Sequence, residues 1–459
     1  MSGREILIVG GGLAGAEAAW QAVRAGVAVT VIEMKPLRFS AAHRSPLLAE
    51  LVCSNSLRSR SLDHACGLLK EEMRRLGSLI LLAADETALP AGSALAVDRE
   101  AFSLRVTAAL EQAGVRIVRQ EATEIPDTGG PVLICTGPLS SPAITRGIQE
   151  LTGRDSMAFY DAIAPIVNGE TINLEKAFWG SRYGKGGDDY LNCPMERDLY
   201  ERFVHEILHA EKVPLHPFES IPPFEGCLPI EDLAARGPET LAHGPMRPTG
   251  LVDPRTGRRP YAVVQLRRDN ACGSLFNMVG FQTKMTHAEQ RRVFRMIPGL
   301  EGAEFHRLGS LHRNTFLNAP RVLLPTLQSR ARPMVFFAGQ LTGVEGYVES
   351  AATGILAGLN AVRLVQGLEP RIPPRTSALG SLVFYLTHAD PDTFQPMHIH
   401  FGLLPPDESD PRRPRKARRM LMAERALRDL DLWIESLRWT DSGRKPSLCP
   451  LSRPGPGVE

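Results

Sequence analysis

The sequence has almost no net charge, no closely spaced pair of cysteines and no long apolar run. Lys and Arg number 53 against 51 Asp and Glu, so the formal net charge is only +2, and attraction to a nucleic acid would need local clusters of basic residues. The seven cysteines are an odd number and none forms C-x-x-C, which argues against a disulfide framework, a redox dithiol and a cysteine-rich zinc site. The nearest candidate for a membrane span, residues 76–84, is far shorter than the roughly 20 residues required.

The rest of the composition is that of an ordinary globular protein. Hydrophobic residues make up 43% and charged residues 23% of a chain long enough for two or three lobes. The first apolar strand begins almost at the N-terminus, so no signal peptide is expected. His398 and His400 are too few ligands to predict a metal site. We therefore expect a cytoplasmic protein with reduced thiols, no membrane partner and no bound metal.

The first 33 residues have the order strand, glycine turn, helix, strand and acid. An apolar run at 6–9 leads into Gly10-Gly11-Gly12-Leu13-Ala14-Gly15, and a second apolar run at 27–32 ends at Glu33. In this context the glycines allow a tight turn, close approach of a pyrophosphate and packing of the helix on the sheet, and the acid accepts hydrogen bonds from a ribose. The pattern predicts a bound dinucleotide; a structural βαβ unit without ligand is the alternative.

A second glycine-rich segment lies far downstream, at residues 335–347 (VFFAGQLTGVEGY). An apolar strand ends there, and small residues then begin an alanine-rich helix, which suits a second backbone approach to the flavin half of a long cofactor. The residues predicted to make this approach are Gly339, Gln340, Gly343 and Tyr347. No second G-x-G-x-x-G follows a strand, so no separate NAD(P)H domain is predicted. The two segments together favour FAD, with a glycine-rich loop that binds nothing as the alternative.

Composition also divides the chain into segments. The middle of the chain is richer in proline, and an apolar strand before it enters a tight turn at Gly137. We predict an α/β fold: a Rossmann-like FAD-binding domain is split by an inserted mixed α/β domain and followed by a short helical C-terminal tail. The predicted segments are 1–165 and 320–405 for the FAD-binding domain, 166–319 for the inserted substrate domain, 406–440 for a basic helical tail and 441–459 for a disordered end.

Two cysteines lie in unusual local settings. Cys53 lies among small polar residues close to Arg58 and Arg60, and Cys227 lies in a proline- and glycine-rich loop with carboxylates nearby. A thiol beside guanidinium groups or at a helix start becomes a usable nucleophile because its pKa falls. Packing as a small hydrophobe is the alternative for any one cysteine. That alternative fits better for three others: Cys66, Cys135 and Cys193.

The tail begins with a strongly basic run at residues 412–419. Such a run could track a phosphate backbone. A solvated tail and helix face is an equally good interpretation.

The sequence resembles the bacterial folate- and FAD-dependent tRNA (uracil-C5)-methyltransferases, the TrmFO family, from about residue 4 to about residue 435. The resemblance rests on long blocks, which are more specific than any G-x-G-x-x-G. Among them are residues 49–59 (AELVCSNSLRS), 224–231 (FEGCLPIE), 244–251 (GPMRPTGL) and 337–350 (FAGQLTGVEGYVES). This sequence has His398 and His400 where the family usually has Asn. The related flavoproteins that modify the tRNA wobble uridine share the glycine loops but have an extra C-terminal helical domain.

The resemblance implies methylation of the T-loop uridine of tRNA to 5-methyluridine. It implies that 5,10-methylenetetrahydrofolate supplies the methylene carbon, and that reduced FAD, regenerated by NADH or NADPH, supplies a hydride. In this reading Cys227 is the thiol that adds to uracil C6. Cys53 is a second thiol near the flavin, which assists proton transfer at C5 or guards the reduced flavin adduct. Tyr347 and His312 are candidates to stack on the pterin or flavin.

Two other functions are compatible with parts of the sequence. An NAD(P)H-dependent flavin oxidoreductase or monooxygenase acting on a small molecule would explain both glycine loops, but not two loop cysteines or a basic tail. A flavin-bound, non-catalytic tRNA-binding protein would explain the basic tail, and it predicts that replacing Cys227 leaves function intact.

Overall fold

The computed structural model describes residues 5–153, 156–184, 186–213, 228–406 and 413–438. The α-helices are α1 (Leu13–Arg24), α2 (Ala65–Arg75), α3 (Leu79–Glu86), α4 (Arg99–Gln112), α5 (Pro142–Thr152), α6 (Arg197–His209), α7 (Ile230–Ala235), α8 (Thr240–His243), α9 (His287–Phe294), α10 (Ala319–Val322), α11 (Tyr347–Val365), α12 (Ala378–His388) and α13 (Arg415–Arg438). The β-strands are β1 (Glu5–Val9), β2 (Ala28–Glu33), β3 (Ser56–Ser59), β4 (Ala88–Leu89), β5 (Ala94–Val97), β6 (Arg116–Arg119), β7 (Val132–Ile134), β8 (Ser156–Ala162), β9 (Ile166–Asn168), β10 (Phe178–Trp179), β11 (Tyr190–Met195), β12 (Ala262–Arg268), β13 (Leu275–Met278), β14 (Phe305–Arg307), β15 (Leu311–Leu317) and β16 (Val335–Phe337).

A five-stranded parallel sheet has the order β16-β7-β1-β2-β6. Every neighbouring pair in it is parallel, and Ile6 and Ile8 of its central strand are fully buried. Parallel strands joined by helices that cover both faces are typical of the doubly wound α/β class. The predicted Rossmann-like α/β fold is therefore confirmed.

Helices α1 and α11 pack with their backbones almost in contact. A Cβ placed on Gly354 would lie 2.2 Å from the carbonyl oxygen of Ala14, and one on Gly358 would lie 2.8 Å from Cα of Ala18. Glycine at both positions of α11 thus removes the side chain that would push the helices apart. Helix α1 follows β1 near the N-terminus, and α11 follows β16, which comes late in the chain. Their contact therefore joins two parts of the parallel-sheet domain that are far apart in sequence.

Helix α11 also corrects the expectation that residues 76–84 are the nearest thing to a membrane span. Its 19 residues are long and apolar enough to cross a membrane by length and composition alone, and 83% of its most apolar window is buried inside the fold. It is the one helix of the described residues that passes this test. Its apolar sequence is explained by its place in the core between α1 and the sheet.

A second sheet of six strands has the order β10-β11-β12-β13-β9-β14 and is antiparallel. Helices α6, α7 and α9 contribute to its separate apolar core, in which Phe203, Phe281 and Phe294 are fully buried. An antiparallel ribbon of β8 and β15 connects this sheet to the parallel one. The limits predicted for the inserted domain, 166–319, stay a prediction.

Two smaller parts complete the described structure. Strands β3, β5 and β4 form a three-stranded antiparallel sheet that continues from the Cys53 loop. Helix α13 packs on α2 and has five buried apolar side chains: Met422, Ala423, Ala426, Leu427 and Leu430. The predicted helical tail is therefore present, with Arg415 and Lys416 exposed at its start. The end predicted to be disordered, 441–459, lies outside the described residues.

The α1–α11 contact predicts opposite effects of two Gly→Ala substitutions in helices. Gly354→Ala should lower the free energy of unfolding by about 1–3 kcal/mol, because the new Cβ overlaps the backbone of α1. Gly147→Ala in α5 is the matched control, since its Cβ would meet nothing closer than 3.5 Å. That variant should be neutral or gain up to about 1 kcal/mol of helix propensity. Denaturant unfolding of both variants tests the contact, and equal midpoints would refute it.

Candidate functional site

In the glycine turn after β1, two glycines are packed tightly against the backbone and a third faces open space. A Cβ on Gly15 would lie 1.9 Å from the carbonyl oxygen of Gly10, and Gly10 itself has φ +99. Gly12, the N-cap of α1, is different, because a Cβ there would meet nothing within 4 Å. The turn therefore needs glycine at its ends for the fold, while the space over Gly12 is free for a ligand.

Glu33 lies at the end of β2 and is held against this turn. One carboxylate oxygen accepts a hydrogen bond from the N–H of Gly11 at 2.8 Å, and the other accepts one from the N–H of Lys35 at 3.0 Å. The residue is buried, with 6% of its surface exposed. A carboxylate fixed in this way has remaining lone pairs available for the hydroxyls of a ribose.

These elements line one open cleft with a volume of about 1080 Å³, which includes the solvent at its mouth. It runs along the carboxyl ends of the parallel strands, where ligands bind in doubly wound sheets. The predicted cofactor residues that line it are Gly10, Gly12, Leu13, Ala14, Glu33, Gly137, Gly339, Gln340 and Tyr347. Three others, Gly11, Gly15 and Gly343, are not in the lining. Gly343 has φ +87 and a Cβ on it would lie 2.6 Å from the ring of Phe394, so packing accounts for this glycine.

The cleft fits an FAD molecule by the chemistry of its walls. Helices α1 and α11 both begin at it, with Gly12 and Gly346 as their N-caps. The first N–H groups of a helix have no partner within the helix, so the start of α1 suits a pyrophosphate and the start of α11 suits polar groups of the flavin half. Glu33 suits the ribose, and the open space at Gly12 suits the phosphates. The lining also includes residues 120–122, which follow β6 at the same edge of the sheet.

Sequence reasoning missed several polar residues of the lining. Lys35, His43 and Glu50 lie in it, and Nζ of Lys35 is 3.4 Å from Oε2 of Glu50. Nδ1 of His43 lies 2.6 Å from Oγ of Ser40, and burial lowers the pKa of His43, with the Lys35 charge adding to the effect. The position of these residues directly after β2 was the available signal, because the carboxyl ends of parallel strands meet at this edge.

Cys53 follows Val52, a residue of the cleft's lining, and lies next to Tyr347. The hydroxyl oxygen of Tyr347 accepts hydrogen bonds from the N–H of Cys53 at 2.7 Å and from the N–H of Ser54 at 3.1 Å. Burial raises the pKa of Tyr347, so the hydroxyl stays protonated. The cleft therefore contains an aromatic ring whose polar end fixes the backbone of the Cys53 loop.

Three arginines hold the same loop from the other side. Arg99 donates to the carbonyl of Leu51, Arg307 donates to the carbonyl of Val52 at 2.9 Å, and Arg267 donates to Oγ of Ser54 at 2.9 Å. Burial lowers the pKa of both Arg267 and Arg307. Arg99 also forms an ion pair with Asp269 at 2.8 Å. Arg267 and Arg307 belong to β12 and β14, so the six-stranded sheet fixes the Cys53 loop in place.

An ion pair between a partly exposed arginine and a buried glutamate supports the start of α11. Arg58, which has φ +62, contacts the carboxylate of Glu349, and the second oxygen of Glu349 accepts the N–H of Ile399 at 3.0 Å. Burial lowers the pKa of His398, and the charge of Arg58 lowers it further. In the described ranges no group of three His, Cys, Asp or Glu residues could hold a metal ion.

The remaining candidate residues are not brought to the cleft by the described structure. Cys227 lies outside the described residues. His312 lies on β15 with Asp161 as its backbone partner, and its side chain is likewise outside the described part. Three cysteines are buried, as the packing interpretation predicts: Cys66, Cys135 and Cys193. Burial raises the pKa of the Cys135 and Cys193 thiols to about 12.

Comparisons with known proteins agree with this architecture. Residues 5–369 match the family model described as glucose inhibited division protein A. The solved structure of Aquifex aeolicus GidA in its form II crystal superimposes with a TM-score of 0.66 at 16% identity, covering 95% of this chain and 74% of that one. At this identity the structure supports the fold alone.

Two relatives are far more similar in sequence. Both are named methylenetetrahydrofolate–tRNA-(uracil-5-)-methyltransferase TrmFO. The one from Symbiobacterium thermophilum is 58% identical over 94% of this chain and 98% of its own length. The one from Geobacter sulfurreducens is 58% identical over 94% and 99%. Similarity of this degree over almost the whole length of both relatives confirms the resemblance, and the chain belongs to the TrmFO family.

Proposed function

We propose that this protein methylates C5 of a uridine in tRNA and takes the one-carbon unit from 5,10-methylenetetrahydrofolate. The observation that carries the proposal is the position of Cys53. Its loop borders a dinucleotide-binding cleft through Val52 and is held by Tyr347 of α11 and by Arg267 of the six-stranded sheet. The relatives named above carry this activity in their names. A T-loop uridine as target, NADH or NADPH as reductant and a cytoplasmic location complete the proposal, with no membrane partner and no bound metal.

The residues that would hold FAD are those of the cleft. Backbone N–H groups at Gly12 and Leu13 would face the pyrophosphate, and Glu33 would face the adenosine ribose. Gly339 and Tyr347 would approach the flavin half. When bound, the flavin supplies the two-electron redox chemistry, including the hydride that completes the methyl group.

The thiol chemistry follows from the low reactivity of uracil C5. In the proposal the thiolate of Cys227 adds to C6, a C6–S bond forms, and the electron pair of the C5=C6 bond moves toward C5 and the C4 carbonyl. C5 then attacks the one-carbon electrophile derived from methylenetetrahydrofolate. Loss of the C5 proton and cleavage of the bond between the methylene carbon and its carrier nitrogen leave an exocyclic methylene at C5. A hydride added to that carbon gives the methyl group, and the electron pair of the exocyclic double bond re-forms C5=C6 as the Cys227 thiolate leaves C6. Because a T-loop uridine is enclosed by RNA, it must be extruded to reach the cleft.

Cys53 is proposed to assist proton transfer at C5 or to protect the reduced cofactor. Its backbone is fixed by the Tyr347 hydroxyl, and the carbonyls just before it are fixed by Arg99 and Arg307. Such fixing of a reactive group lowers the entropy lost when reacting atoms are aligned. The rival function, a flavin oxidoreductase acting on a small molecule, is not favoured by relatives of this identity.

A substitution at Gly12 should affect cofactor binding without affecting folding. Gly12→Ala should leave the stability of the cofactor-free protein unchanged, because its Cβ meets no protein atom within 4 Å. It should weaken FAD binding by about 10- to 100-fold, because the methyl group takes the space next to the phosphates. Flavin titration and thermal unfolding of the cofactor-free protein measure the two effects. Gly302→Ala, also with nothing within 4 Å, is the matched control and should change neither.

The proposed function is tested by methyl transfer to unmodified tRNA transcript. The wild type, given NADPH and labelled methylenetetrahydrofolate, should produce labelled 5-methyluridine, whereas S-adenosylmethionine should not replace the folate. Cys227→Ala should lose at least about a thousandfold in rate while remaining yellow, because the attacking thiol is gone. Cys272→Ala, at an exposed cysteine, is the control that should keep full activity. NADPH oxidation without labelled RNA would contradict the proposal and favour a flavin oxidoreductase that acts on a small molecule.

The contact between Tyr347 and the Cys53 loop predicts a change in rate with FAD retained. Removing the hydroxyl in Tyr347→Phe leaves two backbone N–H groups without their acceptor, so the loop should shift and methyl transfer should slow about 10- to 100-fold. Single-turnover transfer with saturating tRNA measures this. Tyr385→Phe loses a hydroxyl that donates to the carbonyl of Gln395 and should behave as the wild type. An unchanged rate in Tyr347→Phe would show that the loop needs no such support.

A further inference from the structure

An exposed aromatic residue in the connection between β10 and β11 has an unusual conformation. Tyr183 is 60% exposed and has φ +60, a left-handed conformation that is strained for a residue with a side chain. Its N–H donates to the carbonyl of Gly250 at 2.8 Å. Such strain persists only where neighbouring structure enforces it, and a large exposed ring contributes nothing to the core that would justify it.

Gly250 lies flat against the ring of Tyr183. A Cβ built on Gly250 would be equally close, 3.0 Å, to Cγ and to both Cδ atoms of the tyrosine, which places it over one face of the ring. The exposure of Tyr183 then belongs mainly to the opposite face. One face of the ring therefore packs on Gly250 and the other faces solvent. A nucleotide base can stack on an aromatic ring in this geometry.

Two exposed arginines lie beside this ring. Arg182 donates to the carbonyls of Arg247 and Thr249, and the side chain of Arg247 is exposed. Arg259 donates to Oγ1 of Thr249 at 3.3 Å and is also exposed. We call Tyr183, Arg247 and Arg259 the Tyr183 patch.

Few carboxylates lie near the positive charges of the Tyr183 patch. Within the described residues, neither Arg247 nor Arg259 has a carboxylate within ion-pair distance. Burial lowers the pKa of Arg182, and the positive charge of Arg247 lowers it further. Of the two carboxylates on the adjoining loop, Asp189 is buried and accepts the N–H of Gly92, and Asp188 is exposed. A clustered positive charge beside an open aromatic face suits a polyanion that carries bases.

A short series of contacts connects the patch with the Cys53 loop. Nε of Arg182 donates to Gln265 on β12 at 3.0 Å. Arg267 is two residues further along the same strand and therefore on the same face, and it donates to Oγ of Ser54 beside Cys53. The Tyr183 patch thus lies on the face of the six-stranded sheet that meets the candidate active site.

We propose that the Tyr183 patch is a docking surface for the tRNA substrate. An unstacked base lies on the open face of Tyr183, and Arg247 and Arg259 contact the phosphates on either side of it. This inference rests on the proposed function, since an enzyme that extrudes its target base leaves neighbouring bases unstacked and in need of new partners. The exposed start of α13, with Arg415 and Lys416, is the rival surface.

Binding of unmodified tRNA transcript at several NaCl concentrations separates the two kinds of contact. Tyr183→Ala should weaken binding about five- to a hundredfold with the salt dependence unchanged, because stacking releases no counterion. Tyr183→Phe keeps the ring and should bind as the wild type. Arg247→Gln and Arg259→Gln should each weaken binding and lower the slope of log K against log salt by about one. Arg116→Gln, an exposed arginine on the parallel sheet, is the matched control and should change neither quantity.

The same variants distinguish failure of the patch from failure of the proposed function. Flavin reduction by NADPH needs no RNA and should be equal in all of them, which also shows that they are folded. Wild-type tRNA affinity in Tyr183→Ala and Arg247→Gln, with the wild type still methylating tRNA, would overturn the patch alone. Loss of binding only in Lys416→Gln would assign docking to α13 instead. A wild type that reduces its flavin but neither binds nor methylates tRNA would overturn both proposals.

Discussion

The close packing of α1 on α11 is the constraint on which the site depends. Gly354 and Gly358 bring the two helix backbones to a distance that a single methyl group would prevent. Each helix begins at one wall of the cleft, so their separation fixes how far the glycine turn after β1 lies from Gly339 and Tyr347. A cleft of the right width for a dinucleotide is therefore a consequence of two missing side chains more than 300 residues from the turn they position.

The six-stranded sheet fixes the Cys53 loop through two of its arginines. Arg267 and Arg307 project from it to the Cys53 loop, and both are taken largely out of water. Desolvating a guanidinium is unfavourable unless its donors are satisfied, and here carbonyl and hydroxyl oxygens of the loop satisfy them. Moving the sheet away from the loop would break these hydrogen bonds. The position of the inserted sheet and the shape of the Cys53 loop are therefore stabilised together.

The parts of the site that sequence could predict are those whose chemistry is local. Glu33 was predictable because strand, turn, helix and strand follow one another within a single unit. Gly343 was assigned to the cofactor from its neighbours, whereas the structure shows it against Phe394, a contact across the fold that spacing does not encode. The same holds for Arg267, which is 213 residues from the serine it binds. Helix α11 was not recognised as long and apolar, because its glycines and small residues resemble a loop-to-helix transition rather than a core helix.

The near balance of charge limits how such a protein can bind RNA. With 53 basic and 51 acidic residues, the net charge supplies no strong long-range field that would steer a polyanion. Several arginines are also paired with carboxylates, as Arg74 is with Asp85. Affinity must then come from a few short-range contacts. A stacked base supplies energy that salt does not screen, and two or three phosphate contacts set the register. An interface of this kind also lets the methylated tRNA leave, because it discriminates through the extruded nucleotide rather than through total charge, and a strongly basic surface would retain product and substrate alike.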